Sequence, residues 1–192
     1  MVRSFQHHRR RFVVLDRDGT LIEEREYLSE PDQVKLIPGA SAALREFRQM
    51  GFGLVMITNQ SGIGRGLLDY ERLQSIHQRF EYLLDVEGVR LDGIYVCPHV
   101  PDDDCACRKP KLGLLEKAAD DLDFAMTKSV VIGDKASDID MGRAAGAMTI
   151  LVKTGFGKQF ATATSADFVV DDLADAARTL RRIVDEPSQD TA

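Results

Sequence analysis

Two aspartates separated by one residue, Asp16 and Asp18, are the first residues whose types and spacing could do chemistry. They directly follow the apolar run 12–15, which is typical of a buried strand, so both carboxylates stand where that strand ends. Gly19 lets the chain turn immediately afterwards, and the two carboxylates can then converge on one substrate atom. Because Asp and Gly are also common turn residues, a solvated turn explains the same pattern. Residues elsewhere in the chain must decide between a catalytic site and a turn.

The elements that must position these carboxylates are short apolar strands that alternate with amphipathic helices. Strands are predicted at 12–15, 54–57, 94–96, 130–132, 149–152 and 168–170, and helices at 40–50, 69–84, 114–122, 139–145 and 173–184. This alternation predicts a parallel sheet with helices on both faces. We therefore expect an α/β fold, a Rossmann-like three-layer sandwich with a mostly parallel sheet and no large cap domain. Residues 20–38 are expected to form a loop over the site.

Polar pairs follow three of the predicted strands. They are Asp16 with Asp18, Thr58 with Asn59, and Asp134 with Asp138. Because the carboxyl ends of parallel strands share one edge of a sheet, these pairs should meet in a single site. Carboxylates gathered without a cation repel one another, and oxygen ligands suit Mg²⁺. The pattern predicts Mg²⁺ held by Asp16, Asp134 and a main-chain carbonyl at Asp18.

Cations and hydroxyls complete the set of groups that holds a transferring phosphoryl group. Lys109 and Lys135 supply positive charge, and Thr58 supplies a hydroxyl. With these partners, Asp16 can attack phosphorus as a nucleophile. Asp18 can protonate the leaving oxygen and later take a proton from the water that cleaves the aspartyl-phosphate. A phosphate ester is therefore the substrate that the residues indicate.

Two neighbouring features also have plain structural explanations. Asp138 stands where a helix begins, so capping and support for the catalytic residues both remain open. The glycine loop 62–66 has Leu67 where a dinucleotide-binding fingerprint needs its third glycine, so it does not predict a nucleotide site. A flexible turn explains this loop, although Arg65 could contact a second phosphate.

A second metal site is predicted from all three cysteines and one histidine, which lie in the window 97–107. The four residues are Cys97, His99, Cys105 and Cys107. In a reducing compartment they form a complete tetrahedral zinc set, which leaves no open position and is therefore structural. Such a zinc would fix Arg108 and Lys109, which follow the last ligand. Reduced thiols, or a disulfide that leaves one cysteine over, are the alternatives.

Length, charge and hydropathy limit the class of protein. The 192 residues, 44% of them hydrophobic, suffice for one domain with a core. The net charge of −6 gives no overall attraction to nucleic acid or to an anionic membrane. Neither a membrane span nor a signal peptide fits the sequence, so we expect a cytoplasmic protein, and a monomer, that acts on a small molecule.

The ends of the chain are polar. We expect a flexible basic tail at 1–11, one domain at 12–185 that contains the zinc window, and a polar tail at 186–192. The basic cluster 7–11 fits a solvated tail better than a binding arm. The histidines outside the zinc window, His7, His8 and His77, are expected on the tail or on a helix surface.

Together these motifs resemble the haloacid dehalogenase superfamily of phosphohydrolases. Its four motifs are similar to residues 16–20, Thr58, Lys109 and residues 133–135 with Asp138, and the match runs from about residue 12 to residue 157. The stretch 97–110 is similar to two zinc-bearing branches, the D-glycero-D-manno-heptose 1,7-bisphosphate phosphatases and the histidinol-phosphate phosphatases. The stretch 58–66 resembles the heptose branch, whereas the spacing of five residues between His99 and Cys105 is common in the histidinol-phosphate branch.

The resemblance to the heptose branch implies Mg²⁺-dependent removal of the C7 phosphate from heptose 1,7-bisphosphate, through an aspartyl-phosphate, in the supply of heptose for lipopolysaccharide core. It implies that Asp16, Asp18 and Asp134 hold Mg²⁺ and that Thr58 and Lys109 stabilise the phosphoryl group. The remaining residues that it implies would bind the sugar phosphate. They are Glu24, Arg25, Glu26, Tyr27, Asn59, Gln60, Ser61, Arg108 and Lys135, and Arg65 of the glycine loop is added to them as the possible contact with a second phosphate.

Three other functions remain open at the level of sequence. The histidinol-phosphate phosphatases share the zinc window. A receiver-type phospho-acceptor signalling domain also gathers acidic residues, Mg²⁺, Thr and Lys at the end of a parallel sheet. An inactive binding protein could keep the same fold. Multiple turnover of a small phosphate ester would exclude the last two.

Overall fold

The computed structural model describes residues 10–185 and contains a six-stranded sheet in which every neighbouring pair of strands is parallel. The strands are β1 (Phe12–Leu15), β2 (Gly53–Asn59), β3 (Gly93–Cys97), β4 (Val130–Gly133), β5 (Met148–Val152) and β6 (Phe168–Val170). Their spatial order is β3-β2-β1-β4-β5-β6, so β1 lies between β2 and β4. The order in which strands are added therefore reverses beside β1, which is where open α/β sheets bind their ligands.

Helices cover both faces of this sheet. They are α1 (Ala40–Gln49), α2 (Ser61–Gly64), α3 (Tyr70–Val86), α4 (Gly113–Leu122), α5 (Ala136–Ala144), α6 (Gly157–Phe160) and α7 (Leu173–Asp185). Short 3-10 turns occur at Pro31–Gln33, Pro101–Asp103 and Met126–Lys128. The predicted three-layer sandwich is confirmed.

The side chains of β1 alternate between two hydrophobic clusters. Val13 and Leu15 pack with α1, α3 and α7, whereas Phe12 and Val14 pack with α4 and α5. Because a strand buried on both faces has no polar side to show, its sequence is a continuous apolar run. Because both faces of β1 are buried, the polar residues that follow Leu15 lie at the edge of the sheet.

The helices and strands lie close to their predicted positions, with two informative differences. Strand β2 extends through Thr58 and Asn59, because these polar residues pair with Val96 and Cys97 of β3. Part of the predicted glycine loop forms the short helix α2. Both differences arise from the tertiary structure, which overrides the local preference of polar residues and glycines for loops.

The boundary near residue 11 is more structured than a tail. The Arg10 guanidinium lies 5.0 Å from the centre of the Phe12 ring, and that of Arg11 lies 4.3 Å from the centre of the Phe52 ring. Residues 1–9 and 186–192, which hold most of the predicted tails, lie outside the described residues. Within the described range, no helix is long and apolar enough to cross a membrane.

Truncation of the core phenylalanine Phe47 should strongly reduce the free energy of unfolding. Its side chain in α1 is fully buried in the cluster below β1. Phe47→Ala should cost about 3–5 kcal/mol, because it removes apolar contacts and leaves a cavity. The control Tyr82→Ala, at a side chain that is 59% exposed, should change stability by less than about 1 kcal/mol. Urea unfolding followed by circular dichroism measures both, and equal losses would contradict this description of the core.

Candidate active site

The site lies at the carboxyl edge of the sheet, where β1, β2 and β4 end side by side. The backbone N–H of Asp16 donates to the Ile132 carbonyl at 3.1 Å, which extends the β1–β4 pairing into the site. The turn that follows passes very close to Asp134. A Cβ atom on Gly19, whose φ is 80°, would lie 2.2 Å from Asp134 Oδ2. Both the backbone angle and the space therefore require glycine at this turn.

Lys109 reaches into the site from the chain that follows the cysteine–histidine window. Its Nζ lies 2.7 Å from Asp16 Oδ1 and 2.6 Å from Asp138 Oδ1, and it donates to the Ile57 carbonyl at 2.7 Å. Burial alone would lower the pKa of Lys109, but the carboxylates of Asp138 and Asp16 outweigh it and raise that pKa. Asn59 fixes the lysine backbone through two hydrogen bonds, at 3.1 and 3.2 Å. The ammonium is therefore a permanent charge held against the Asp16 carboxylate.

Asp16, Asp134 and Asp138 form a buried acidic cluster whose ligand oxygens lie within 4.8 Å of one another. Asp138 accepts from the backbone N–H of Lys135 at 3.1 Å and pairs with Lys109. Asp138 thus caps the start of α5 and also contacts Lys109. Capping, one of its two interpretations from sequence, is observed, and support for catalysis stays a prediction. The carboxylate of Asp18 is not part of this cluster; the prediction for Asp18 concerns its main-chain carbonyl, and it stays a prediction.

Asp134 is the member of this cluster that most clearly needs a cation. Its Oδ2 accepts from the Phe156 N–H at 2.8 Å, but its buried Oδ1 has no hydrogen-bond partner among residues 10–185. Burial, followed by repulsion from Asp16, raises the pKa of Asp134 to about 8. A divalent cation that prefers oxygen ligands would satisfy the orphaned oxygen and remove the repulsion.

The carboxylate of Asp18 is held by two side chains. Arg17 forms a fork on it, with Nε at 3.0 Å from Oδ2 and Nη2 at 3.0 Å from Oδ1. Gln60 Nε2 donates at 2.8 Å both to Asp18 Oδ2 and to Thr58 Oγ1, while Gln60 Oε1 accepts from Arg17 at 2.8 Å. All polar atoms of the Gln60 side chain are thus engaged within the protein. Its predicted contact with substrate stays a prediction.

The prediction that His77 lies on the helix surface is wrong. His77 Nε2 lies 3.2 Å from Nη1 of Arg17, and the ring is partly buried between α3 and the site. The helical spacing contains the signal, because His77 follows the buried Leu73 by four residues and precedes the buried Phe80 by three. Arg17 itself was not singled out from the sequence. Its side chain is buried in the protein, and its guanidinium forks onto the neighbouring Asp18.

A cavity of about 570 Å³ opens beside Asp18 and Lys135, which follow two members of the acidic cluster in the chain. It is lined by the predicted substrate residues Glu24, Arg25, Glu26, Tyr27, Asn59, Gln60, Ser61, Arg108 and Lys135. Arg65 is exposed and is not among the lining residues, so its contact with a second phosphate stays a prediction. Lys135 Nζ lies 3.0 Å from Glu24 Oε2. Burial raises the pKa of the Glu24 carboxyl, although this ion pair acts in the opposite direction.

Phe156 lines the same cavity and was missed by sequence reasoning. Its ring is 37% exposed, and Lys135 Nζ lies 4.9 Å from the ring centre. Nothing in the local sequence marks the residue as part of a site, because it follows β5, a strand far from β1 in the chain. Its N–H donates a hydrogen bond to Asp134, which holds this backbone against the site.

The predicted zinc set comes together in space. Cys97, His99, Cys105 and Cys107 offer four ligand atoms that lie within 4.8 Å of one another. Sulfur–sulfur separations are 3.3–3.7 Å, and the His99 Nδ1 atom lies 3.2 Å from Cys107 Sγ. Ligands that surround zinc tetrahedrally at about 2.3 Å stand about 3.7 Å apart, so the set has the right size. All three thiols are free, which excludes the predicted alternative of a disulfide in this structure.

The cysteine–histidine window also positions a residue of the cavity. Arg108, directly after Cys107, donates from Nη1 to the His99 carbonyl at 3.1 Å. Burial opposes ionisation of Cys105, but hydrogen bonds from Cys107 and from the Arg108 backbone lower the pKa of that thiol to about 7. The predicted link between the window and Arg108 is therefore present as a direct contact.

Comparison with known proteins agrees with this geometry. A family model described as HAD-hydrolase-like matches residues 106–176. The D-glycero-beta-D-manno-heptose-1,7-bisphosphate 7-phosphatase of Haemophilus influenzae is 40% identical over 178 residues, covering 89% of this chain and 97% of the relative. The Escherichia coli K12 protein of the same name is 38% identical over 178 residues, covering 88% of this chain and 93% of the relative.

Solved structures give the same result. A D,D-heptose 1,7-bisphosphate phosphatase from B. bronchiseptica, complexed with magnesium and phosphate, superposes with a TM-score of 0.84 at 33% identity, covering 90% of this chain and 99% of its own. The Burkholderia thailandensis protein of the same name has a TM-score of 0.70 at 30% identity, with 90% and 99% covered. Similarity at this level extends over about nine-tenths of the chain. The chain therefore belongs to the haloacid dehalogenase-like hydrolases, in the family of the D-glycero-beta-D-manno-heptose-1,7-bisphosphate 7-phosphatases.

Proposed function

We propose that this protein is a phosphoric monoester hydrolase that removes the C7 phosphate of D-glycero-β-D-manno-heptose 1,7-bisphosphate. The observation that carries the proposal is the buried Asp16 carboxylate, held by Lys109 at 2.7 Å beside an acidic cluster with an orphaned Asp134 oxygen. The sugar and its β configuration come from the names of the relatives. The cytoplasmic location and the monomeric state stay predictions.

The proposed cofactor of the reaction is Mg²⁺. Asp16 and Asp134 would hold it through carboxylate oxygens, together with the main-chain carbonyl of Asp18. The unpartnered Asp134 Oδ1 and the oxygen-only donor set fit such an ion, and a similar structure contains magnesium. When bound, the ion would neutralise charge on the phosphoryl oxygens.

In the first half-reaction, the Asp16 carboxylate attacks phosphorus and the bond from phosphorus to the C7 oxygen breaks. Lys109 holds Oδ1 of Asp16, which fixes the orientation of the nucleophile. Thr58 Oγ1 already accepts a hydrogen bond from Gln60, so its own O–H proton is available to a phosphoryl oxygen. Asp18 donates a proton to the departing sugar oxygen. The product of this step is an aspartyl-phosphate on Asp16.

In the second half-reaction, water replaces the sugar oxygen. Asp18, now a carboxylate, takes a proton from the water while the water oxygen attacks phosphorus. The bond between phosphorus and the Asp16 oxygen then breaks, and inorganic phosphate leaves with the nucleophile restored. One carboxyl group thus serves as acid and then as base, which requires that its position be well defined.

The second proposed metal is a structural Zn²⁺ in the cysteine–histidine window. Four protein ligands complete its coordination and leave no position for substrate. The window contributes few apolar side chains, so metal ligation would take the place of a hydrophobic core. It would thereby hold Arg108 at the cavity and support the chain that carries Lys109 into the site.

The polar groups of the cavity suit a sugar with phosphates at both ends. Arg108 and Lys135 supply cations on the cavity wall, and Tyr27 and Phe156 supply aromatic surface. Aromatic side chains beside a few fixed polar groups are typical of small-molecule sites. Glu24 holds Lys135 in the free enzyme and would release it to an incoming phosphate.

A panel of phosphate esters tests the proposed substrate. We expect phosphate release from the β-heptose 1,7-bisphosphate to exceed that from the α anomer, from fructose 1,6-bisphosphate and from histidinol phosphate in kcat/KM. Preferred turnover of histidinol phosphate would overturn the proposed substrate.

A conservative substitution of Asp16 tests the proposed nucleophile. Asp16→Asn should abolish turnover, because it removes the nucleophile, while the amide oxygen of the new side chain can still accept from Lys109 and preserve the fold. The exposed Asp140 provides the matched control Asp140→Asn, which should keep full activity. Phosphate release measures both variants, and multiple turnover by Asp16→Asn would overturn the assignment.

Metal analysis tests the structural zinc. We expect about one zinc per chain, and Cys105→Ala should lower the zinc content and the thermal unfolding midpoint together. Activity should fall as well, because Arg108 and Lys109 lose their support. The control Asp104→Ala changes an exposed side chain in the same window and should retain the metal. A Cys105→Ala protein with unchanged zinc content and midpoint would contradict the site.

The pH dependence of Mg²⁺ binding tests the assignment of Asp134. Its folded pKa of about 8 lies above the unfolded value, so the metal-free folded state holds an extra proton between about pH 4 and pH 8. The contribution of Asp134 to the free energy of unfolding is therefore present at low pH, and it is lost as the pH rises from about 4 to about 8. Because Mg²⁺ competes with this proton, the rise in unfolding midpoint on adding Mg²⁺ should be larger at pH 8 than at pH 6.

Two variants isolate this carboxyl group. Asp134→Asn should reduce the midpoint rise at both pH values, and Asp140→Asn should leave it as in the wild type. An equal midpoint rise at pH 6 and pH 8 in the wild type would contradict the assignment.

A further inference from the structure

Arg17 is the largest of the fully buried side chains, with 1% of its surface exposed. A buried guanidinium without partners is very costly, so its hydrogen bonds define its position closely. Two of its nitrogens fork onto the two oxygens of Asp18, both at 3.0 Å. Such a bidentate pair fixes the plane of the carboxylate as well as its distance.

The far side of this guanidinium rests on α3. Nη1 of Arg17 lies 3.2 Å from Nε2 of His77. Burial, assisted by the Arg17 charge, lowers the pKa of His77 to about 4. The ring is therefore neutral near pH 7, and the ring nitrogen that faces the guanidinium accepts its N–H. Gln60 accepts from Arg17 Nη2 at 2.8 Å, so the guanidinium has partners on three sides.

These contacts form one continuous path between a helix and the reacting groups. The path runs from His77 through Arg17 to Asp18, and Gln60 joins both Arg17 and Asp18 to Thr58. Neither Arg17 nor His77 belongs to the acidic cluster, although Arg17 lines the cavity beside Asp18. Arg17 contacts the Asp18 carboxyl group, which must be in place for proton transfer in both half-reactions, and His77 contacts Arg17.

We propose that Arg17 is a positioning residue for the acid–base Asp18, and that His77 on α3 holds Arg17 in the orientation that this requires. Arg17 places the Asp18 carboxyl group through the fork, and His77 prevents the guanidinium from turning away. The inference rests on the proposed phosphatase activity, since it assigns a role to residues behind its acid–base. It also makes the packing of α3 a determinant of proton transfer.

Two substrates with different leaving groups separate positioning of the acid from general damage. A sugar phosphate releases an alkoxide-like oxygen that needs a proton, whereas p-nitrophenyl phosphate releases a stable phenolate that does not. The parameter kcat/KM covers the steps up to phosphoryl transfer to Asp16. It therefore includes the role of Asp18 as an acid but not its later role as a base. We therefore compare kcat/KM for heptose 1,7-bisphosphate and for p-nitrophenyl phosphate in each variant.

Arg17→Met keeps the length and apolar stem of the side chain but removes the fork. We expect kcat/KM for the sugar phosphate to fall about 100-fold, in the range of lost general acid catalysis, and that for p-nitrophenyl phosphate to fall much less. Equal losses on the two substrates would overturn the proposal, because they would indicate a purely structural role.

Substitutions at His77 keep the proposal testable if Arg17→Met does not fold. His77→Gln retains an acceptor for Arg17, and His77→Leu does not. We expect His77→Leu to lose more activity on the sugar phosphate than on p-nitrophenyl phosphate, and His77→Gln to restore the wild-type ratio. Identical ratios in the two variants would overturn the role of His77.

Two controls complete the experiment. Gln78→Leu changes the exposed residue next to His77 on α3, and it should leave kcat/KM unchanged for both substrates. Thermal unfolding midpoints show whether each variant is folded at the assay temperature. If the wild type turns over neither substrate, the proposed function itself fails, and this result is distinct from an unchanged ratio.

Discussion

The ion pair between Lys109 and the two carboxylates of Asp16 and Asp138 is the interaction on which the rest of the site depends. Three buried carboxylates next to one another would repel strongly, and each has left water on folding. A single ammonium within 2.7 Å of two of them offsets much of that cost. Because the Lys109 side chain is itself buried, the backbone at Lys109 has to be held in a fixed position. Asn59 and the cysteine–histidine window provide that support from two sides.

This dependence gives a reason for a cysteine–histidine cluster to lie beside the acidic cluster. The window holds few apolar residues and would be poorly ordered without ligation, yet it leads directly into Lys109. Arg108 donates to the His99 carbonyl from the same segment. The proposed zinc would therefore act on the site at a distance, through the position of the two basic residues that follow its last proposed ligand.

Much of the fold and of the acidic cluster could be predicted from sequence, because both follow from short-range rules. The apolar run before Asp16 predicts a doubly buried strand, and parallel strands bring their carboxyl ends to one edge. Cys97, His99 and the later cysteines are recognisable by type and spacing alone.

The remaining features depend on contacts that no local pattern encodes. In the sequence Arg17 is an ordinary charged residue, and its burial depends on α3, which is 60 residues away in the chain. His77 resembles a surface residue unless its place beside the buried face of α3 is weighed. The Phe156 backbone is held by a hydrogen bond from its N–H to Asp134, 22 residues away in the chain. Long-range packing, rather than residue type, decides all three positions.

The close approach of the backbone to Asp134 has a consequence for how the pocket can diverge. A Cβ atom on Gly19 or on Gly155 would lie 2.2 Å from Asp134 Oδ2, so neither position tolerates a side chain without displacing that carboxylate. Phe156, the next residue, has its backbone held by that same carboxylate while its ring faces the cavity. The chemistry and the shape of the pocket are therefore separable at this loop. A different side chain at 156 would therefore alter the wall of the cavity, whereas a side chain at 155 would disturb Asp134.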